Sequence, residues 1–173
     1  EKRKEIAPHE LGGDAVQIGI VTMDELETLC EHLGFSDMTL DACRSGNDNL
    51  QNSLSVYDDY SFGILDLIQG DDILGPRDKI GFFIKRNLFL IVDIEDRDRS
   101  TINALEQAIE RMTHRKIVTM EKVIYVFLSR LIGADSALLE RIERQIAELE
   151  GRVQDNETDG MNEDLSRLRH ELL

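Results

Sequence analysis

Basic residues are in short supply: 20 lysines and arginines face 35 aspartates and glutamates, a formal net charge of −15. Nucleic-acid phosphates would be repelled by such a chain, so nucleic acid is excluded as a partner, and bound cations or simple solubility are favoured. Long apolar runs are lacking as well. Val123 to Leu128 and Leu88 to Val92 fall far short of the roughly 20 residues a membrane helix needs, so no stretch of this sequence reads as a membrane span. Cysteine occurs twice, as Cys30 and Cys43, without metal-ligand spacing; both read as buried, reduced thiols, which points to a reducing compartment. His9, His32, His114 and His170 are scattered too widely for a zinc cluster or a nucleophilic triad, and no glycine-rich phosphate loop is present. The lack of an initiator Met and of an apolar leader predicts a trimmed N-terminus without signal peptide, its first dozen residues loosely held.

What remains is 41% hydrophobic over 173 residues, enough for one domain with a real core and an extension. Val16, Ile18 and Ile20 alternate as a strand. Thr22-Met23-Asp24-Glu25 follows as a capping box for a helix through about His32, with Gly34 as its stop. Ser36 can cap a second short helix, Asp37 to about Arg44, before the loop Ser45-Gly46-Asn47-Asp48-Asn49. The pattern then turns to period two. Leu54 and Val56 mark one short strand, and Tyr60, Phe62 and Ile64 a longer one to about Ile68. After a loop from Gln69, Ile80 to Ile84 and Leu88 to Val92 form a hairpin in which Asn87 takes the left-handed position. Ser100 caps a third helix with Ile102, Leu105, Ala108, Ile109 and Met112 on one face.

Thr119 caps a long helix through about Val153, with Gly133 as a candidate kink and i,i+4 pairs from Glu140 to Arg144 and from Glu148 to Arg152. Val123, Ile124, Phe127, Leu131 and Ile132 make its first half a wide stripe suited to a sheet. Leu139, Ile142, Ile146, Leu149 and Val153 then narrow to a 3, 4, 3, 4 seam. The stripe resumes as Leu165, Leu168 and Leu172, predicting an antiparallel helical hairpin. Leu173 carries no stop chemistry, so a longer protein is expected to continue this helix. The boundary falls between an α/β domain over residues 1–118 and a helical segment over 119–173. The fold class predicted is α/β: a mixed sheet sandwiched by helices, with an acidic helical hairpin extension.

Met38-Thr39-Leu40-Asp41, the strand entry Tyr57-Asp58-Asp59-Tyr60-Ser61-Phe62-Gly63-Ile64-Leu65 and the hairpin end Asn87-Leu88-Phe89-Leu90-Ile91-Val92 stand in a telling order. So do Leu139-Glu140-Arg141-Ile142-Glu143, Ile146-Ala147-Glu148-Leu149-Glu150 and Leu168-Arg169-His170-Glu171-Leu172-Leu173. In that order and spacing they resemble the cytosolic domain of CorA-type magnesium transporters, from about Val16 to Leu173. The resemblance implies an α/β/α domain on the cytoplasmic side of the membrane, followed by a hairpin, a stalk helix and two membrane helices of a homopentameric channel. The stalk and membrane helices have no counterpart in this sequence, which is therefore not expected to conduct ions itself, nor to form a tight pentamer. The family often carries Arg-Pro-Lys after the short helix, where this chain has Ser45-Gly46-Asn47-Asp48-Asn49-Leu50. Gly160-Met161-Asn162 repeats the family's pore signature by coincidence, since Asp159 and Glu163 flank it with no apolar run before it.

On the same resemblance Asp41 matches an aspartate that helps bind regulatory Mg2+ between subunits, the partner carboxylate lying on the stalk. An exposed helix aspartate is the plain reading of the same residue. Related zinc, cobalt or nickel transporters share the architecture. A rival of another class is a magnesium-dependent phosphohydrolase built on Asp93, Glu95, Asp96 and Asp98, or on Asp71-Asp72. It lacks a phosphate loop and a positioned base, and Arg97 and Arg99 more simply neutralise those carboxylates. A hairpin adaptor binding a foreign helix through the 3, 4 seam is a third possibility, opposed by the seam's continuation. Asp58 and Asp59 read as a solvated turn. No catalytic grouping emerges, and the chain is read as a non-enzyme.

Overall fold

The computed structural model describes residues 11, 15–44, 52–68, 77–97, 99–113, 118–154 and 160–172. The expected loose N-terminus, Asp71-Asp72, Asp98 and the divergent loop after the short helix fall outside these residues. In chain order the elements are β1 (Gln17–Thr22), α1 (Met23–Leu33), α2 (Asp37–Arg44), β2 (Ser53–Val56), β3 (Ser61–Ile68), β4 (Arg77–Lys85) and β5 (Leu88–Glu95). They are followed by α3 (Ser100–Thr113), α4 (Met120–Gln154) and α5 (Met161–Leu172). Two compact units result: Glu1–Leu67 with Asp78–Ser129, and Ile68–Arg77 with Arg130–Leu173.

In the first unit the five strands form one mixed sheet in the order β1-β5-β4-β3-β2. β1 runs parallel to β5, from Gln17 opposite Leu88 to Thr22 opposite Asp93, whereas β4 and β5 pair antiparallel. Alternation sorts the side chains between two faces. Phe62, Ile64, Phe83, Leu90 and Val92 join Leu26, Leu29, Leu33, Leu40 and Cys43 from α1 and α2 in one core cluster. Rings tie it together: Phe35 stacks on Phe83 at 4.1 Å, and the hydroxyl of buried Tyr60 accepts the Ser36 N–H at 3.0 Å. On the opposite face Phe89 meets Phe127 of α4 edge-on at 5.8 Å, and Ile80, Ile91 and Val123 are buried. Helices therefore cover both sides, the α/β/α arrangement expected.

Local chemistry sets the boundaries. Thr22 and Glu25 form the capping box, the Thr22 N–H donating to Glu25 Oε2 at 2.8 Å, and Gly34 closes α1 at φ 69°. Two sequence-based assignments are corrected. In the β4–β5 turn it is Arg86, not Asn87, that takes positive φ, at 44°. A two-residue hairpin turn matched to strand twist needs that geometry at its first position, and Arg86 occupies it. At α3, Ser100 is the first helical residue rather than the cap. The buried Asp96 carboxylate instead accepts the N–H groups of Thr101 and Ile102, at 3.4 and 3.1 Å.

In the second unit α4 runs unbroken through Gly133, and its Arg152 pairs with Asp164 of α5 at 2.6 Å. Gly160, at φ 74°, opens α5 by accepting the N–H groups of Glu163 and Asp164, so Gly160-Met161-Asn162 is a helix start. The buried stripe departs from the predicted seam at its ends. Ile142 is buried and Ile146 and Leu149 are half-buried as the seam requires, but Leu138 is buried in place of Leu139, and Val153 and Leu165 are exposed. The 3, 4 count admits either neighbour of a heptad position, and burial selects Leu138 over Leu139.

Two outcomes follow from the packing. A Cβ on Gly63 would lie 2.4 Å from the Phe82 ring and 2.7 Å from the Ser53 carbonyl of the paired strand β2. Gly63→Ala should therefore lower unfolding free energy by about 1–3 kcal/mol in urea titrations, because the backbone contact cannot rotate away. Burial, reinforced by nearby Cys30, pushes the Cys43 thiol up to about 12. A folded pKa above the unfolded one contributes stability that is fully present below the unfolded value of about 8.5 and lost as pH rises toward the folded one. The free energy of unfolding should fall above about pH 9, and Cys43→Ala should flatten that alkaline slope.

Candidate functional site

α2 is held by its own first turn and by α1. The Ser36 carbonyl accepts the Thr39 hydroxyl at 2.6 Å, and Leu40 and Cys43 face the core. That orientation turns Asp41 outward, its side chain 71% exposed. Arg44, one turn later, reaches Asp41 at 3.1 Å and, across to α1, Glu27 at 2.8 Å. One guanidinium thus gathers two carboxylates from two helices. The hydrogen bond to Glu27, with a smaller contribution from Asp41, raises the Arg44 pKa further above its usual range. Glu27 was not legible as a neighbour of Asp41, because no spacing rule links residues of separate helices. Arg44 was legible as an i,i+3 partner.

An exposed pair of carboxylates with hydrated surroundings suits a hard cation that keeps several waters, and Arg44 would compete with it. Among the described residues no three His, Cys, Asp or Glu side chains gather to hold a metal. From this chain alone, Asp41 and Glu27 would be the ligands.

The rival acidic cluster is put to other uses. Asp93 accepts the Asp96 N–H at 3.0 Å, Asp96 caps α3, and Glu95 pairs with Arg97. The Arg97 N–H reaches buried Asp78 at 3.3 Å. These carboxylates lock the β5–α3 corner. Asp59 is likewise engaged: Lys85 pairs with it at 2.7 Å and donates to the Leu33 carbonyl at the end of α1 at 2.6 Å.

A five-stranded mixed sheet layered between helices and continued by a long helix and a second, charged one defines the class: an α/β/α domain with a helical extension. The family described as "CorA-like Mg2+ transporter protein" matches residues 16–173, and the chain belongs to that family. No curated protein matches the chain. Among solved structures it is similar to the complete CorA magnesium transporter of Methanocaldococcus jannaschii. That match has 20% identity and a TM-score of 0.53, over 79% of this chain and 43% of that one. It is also similar to the ZntB cytoplasmic domain of Vibrio parahaemolyticus RIMD 2210633, at 15% identity and a TM-score of 0.56, over 79% of this chain and 57% of that one. The chain thus spans about half the length of these structures, and at such identities the likeness concerns the fold. No described helix is long and apolar enough to cross a membrane.

The two kinds of aspartate separate in a stability measurement. Asp96→Ala should cost about 1–2 kcal/mol through loss of the α3 cap. Asp41→Ala, on an exposed surface, should stay within about 0.5 kcal/mol by thermal or urea unfolding.

Proposed function

We propose that this chain is the cytosolic, ion-sensing portion of a CorA-type transporter, on the cytoplasmic side of the membrane. Divalent-cation binding between subunits of a homopentamer would hold its pore closed. The observation that carries the reading is the family match over residues 16–173. The exposed Asp41, with Glu27 beside it, supports it as a place where Mg2+ can exchange with Arg44. Residues 119–173 lead toward the stalk and membrane helices of the whole protein, whose stalk supplies the carboxylate completing each site. This chain by itself is monomeric or weakly associated and catalyses no reaction; Asp93, Glu95 and Asp96 serve the corner before α3.

The mechanism is feedback by linkage. A ligand shifts a closed–open equilibrium only by its differential affinity for the two states. One site contributes RT ln(1 + [L]/Kd), about 0.4 kcal/mol when free ion equals Kd, so several equivalent sites are needed for a useful switch. A fall in cytosolic Mg2+ empties them, the subunits loosen, and uptake resumes. A second reading, a zinc, cobalt or nickel transporter of the same architecture, draws support from the likeness to the ZntB cytoplasmic domain.

Uptake and protease protection of the intact transporter, titrated with Mg2+, test both. Asp41→Ala should keep transporting at Mg2+ levels that close the wild type, and its protection midpoint should move to higher Mg2+. Superimposable curves would remove Asp41 from the mechanism. Closure by micromolar Zn2+ but not by millimolar Mg2+ would favour the second reading.

A further inference from the structure

The sheet of the first unit ends in β2, the outermost strand in the order β1-β5-β4-β3-β2, and its outer edge can be read residue by residue. β2 and β3 pair antiparallel from Ser53 opposite Ile64 to Val56 opposite Ser61. One step further along the same register, the Tyr57 N–H donates to the Tyr60 carbonyl at 2.8 Å. Hydrogen-bonded and non-hydrogen-bonded pairs alternate in such a ladder, so Ser53 and Ser55 turn their backbone groups toward β3. Leu54 and Val56 turn theirs outward. The Asp66 N–H obeys the same alternation, pointing toward β2, where Asn52 Oδ1 accepts it at 2.8 Å. Among the described residues no strand pairs with the outer side of β2.

This edge is not protected. Sheets blunt their edges with lysine, proline, bulges or inward-pointing charges, because an open edge is a template for another strand. From Asn49 to Tyr57 there is neither a charge nor a proline, in a chain that is 32% charged. Leu54 and Val56 project on one face, 64% and 78% exposed, the face on which the Phe82 ring reaches across Gly63. The edge therefore suits a strand that is itself uncharged and apolar at alternate positions, as β2 is.

We propose that β2 pairs with β2 of a second copy of this chain, antiparallel about a two-fold axis through Ser55, so that Leu54 lies opposite the partner's Val56. The outward backbone groups of both residues are then used, each Leu54–Val56 pair exchanging both of its N–H···O bonds. Apolar side chains also face apolar ones. A two-fold axis through Leu54 would set Val56 against Asn52, and one through Val56 would set Leu54 against Asp58, so the axis through Ser55 is selected. In that register Asp58 meets Asn52 and no like charges are opposed, the condition that two chains of net charge −15 must satisfy. A strand of four residues covers less than the roughly 1,200–2,000 Å2 of stable interfaces, so the dimer is weak. The inference uses neither Asp41 nor Glu27, and a two-fold contact is not one that closes a ring of five, so it stands apart from the cation-sensing reading.

Sedimentation equilibrium of the 173-residue chain from roughly 10 μM to 1 mM, in about 0.2 M salt to screen the net charge, tests it. A monomer–dimer equilibrium should appear. Leu54→Lys and Val56→Glu should each weaken it about tenfold or more, with unfolding midpoints close to that of the parent chain because both positions are exposed. The double variant sets each new lysine opposite the partner's new glutamate and should recover most of the affinity. Ser55→Cys should cross-link two copies in oxidised glutathione, since the axis brings its two Cα atoms to about 4.5 Å, and Leu54→Cys should not. A monomer at every concentration, association unchanged by Leu54→Lys and Val56→Glu, a double variant no tighter than either single one, or equal cross-linking of Leu54→Cys would overturn the proposal.

Discussion

β5 has a strand on either edge and is buried on both faces, with Phe89, Leu90, Ile91 and Val92 each at most 1% exposed. Full burial of such side chains is worth about 1.5–3 kcal/mol each, which is available only if both faces are roofed. This one requirement accounts for the layering. α1 and α2 cover the side of Leu90 and Val92, and the first part of α4 covers the side of Phe89. The parallel pairing with β1 has the same origin, since a strand buried on both sides can accept a distant segment where a half-wet one would favour a local hairpin.

Elements whose information is local were legible. The Thr22–Glu25 box, the Gly34 stop, the span of α2 and the alternation of β4 and β5 depend on residues within one turn or one pleat, and the structure reproduces them. Where a position depended on tertiary competition, spacing was ambiguous. Ser100 has the chemistry of a cap, but Asp96 brings its side-chain oxygens from the preceding corner and takes the orphan N–H groups. Asn87 tolerates positive φ, yet the register Lys85 opposite Leu88 puts the strained position on Arg86. The 3, 4 repeat in α4 specified that a stripe exists without fixing which neighbour is buried. The pairing of Glu27 with Arg44 crosses between helices, so no pattern within one helix could reveal it.

The abundant carboxylates have two fates, decided by burial. Asp96 and Asp78 sit below the surface and spend their oxygens on backbone N–H groups, where water cannot compensate and loss is costly. Asp41 and Glu27 stand in solvent around a single guanidinium, an arrangement that adds little to the stability of the fold. High negative charge thus leaves a rigid corner and an adaptable surface on the same side of the molecule's chemistry, separated only by depth.

The parallel register of β1 with β5 also has a temporal side. Gln17 leaves the ribosome about 70 residues before its partner Leu88. At synthesis rates of about 5–20 residues per second, Ile18, Ile20 and Val21 spend several seconds in the cell with no strand to join. β1 can be placed only once β5 is available. A nascent chain of this kind is exposed to wrong partners until β5 has emerged, and any pause in translation within that interval lengthens the hazard.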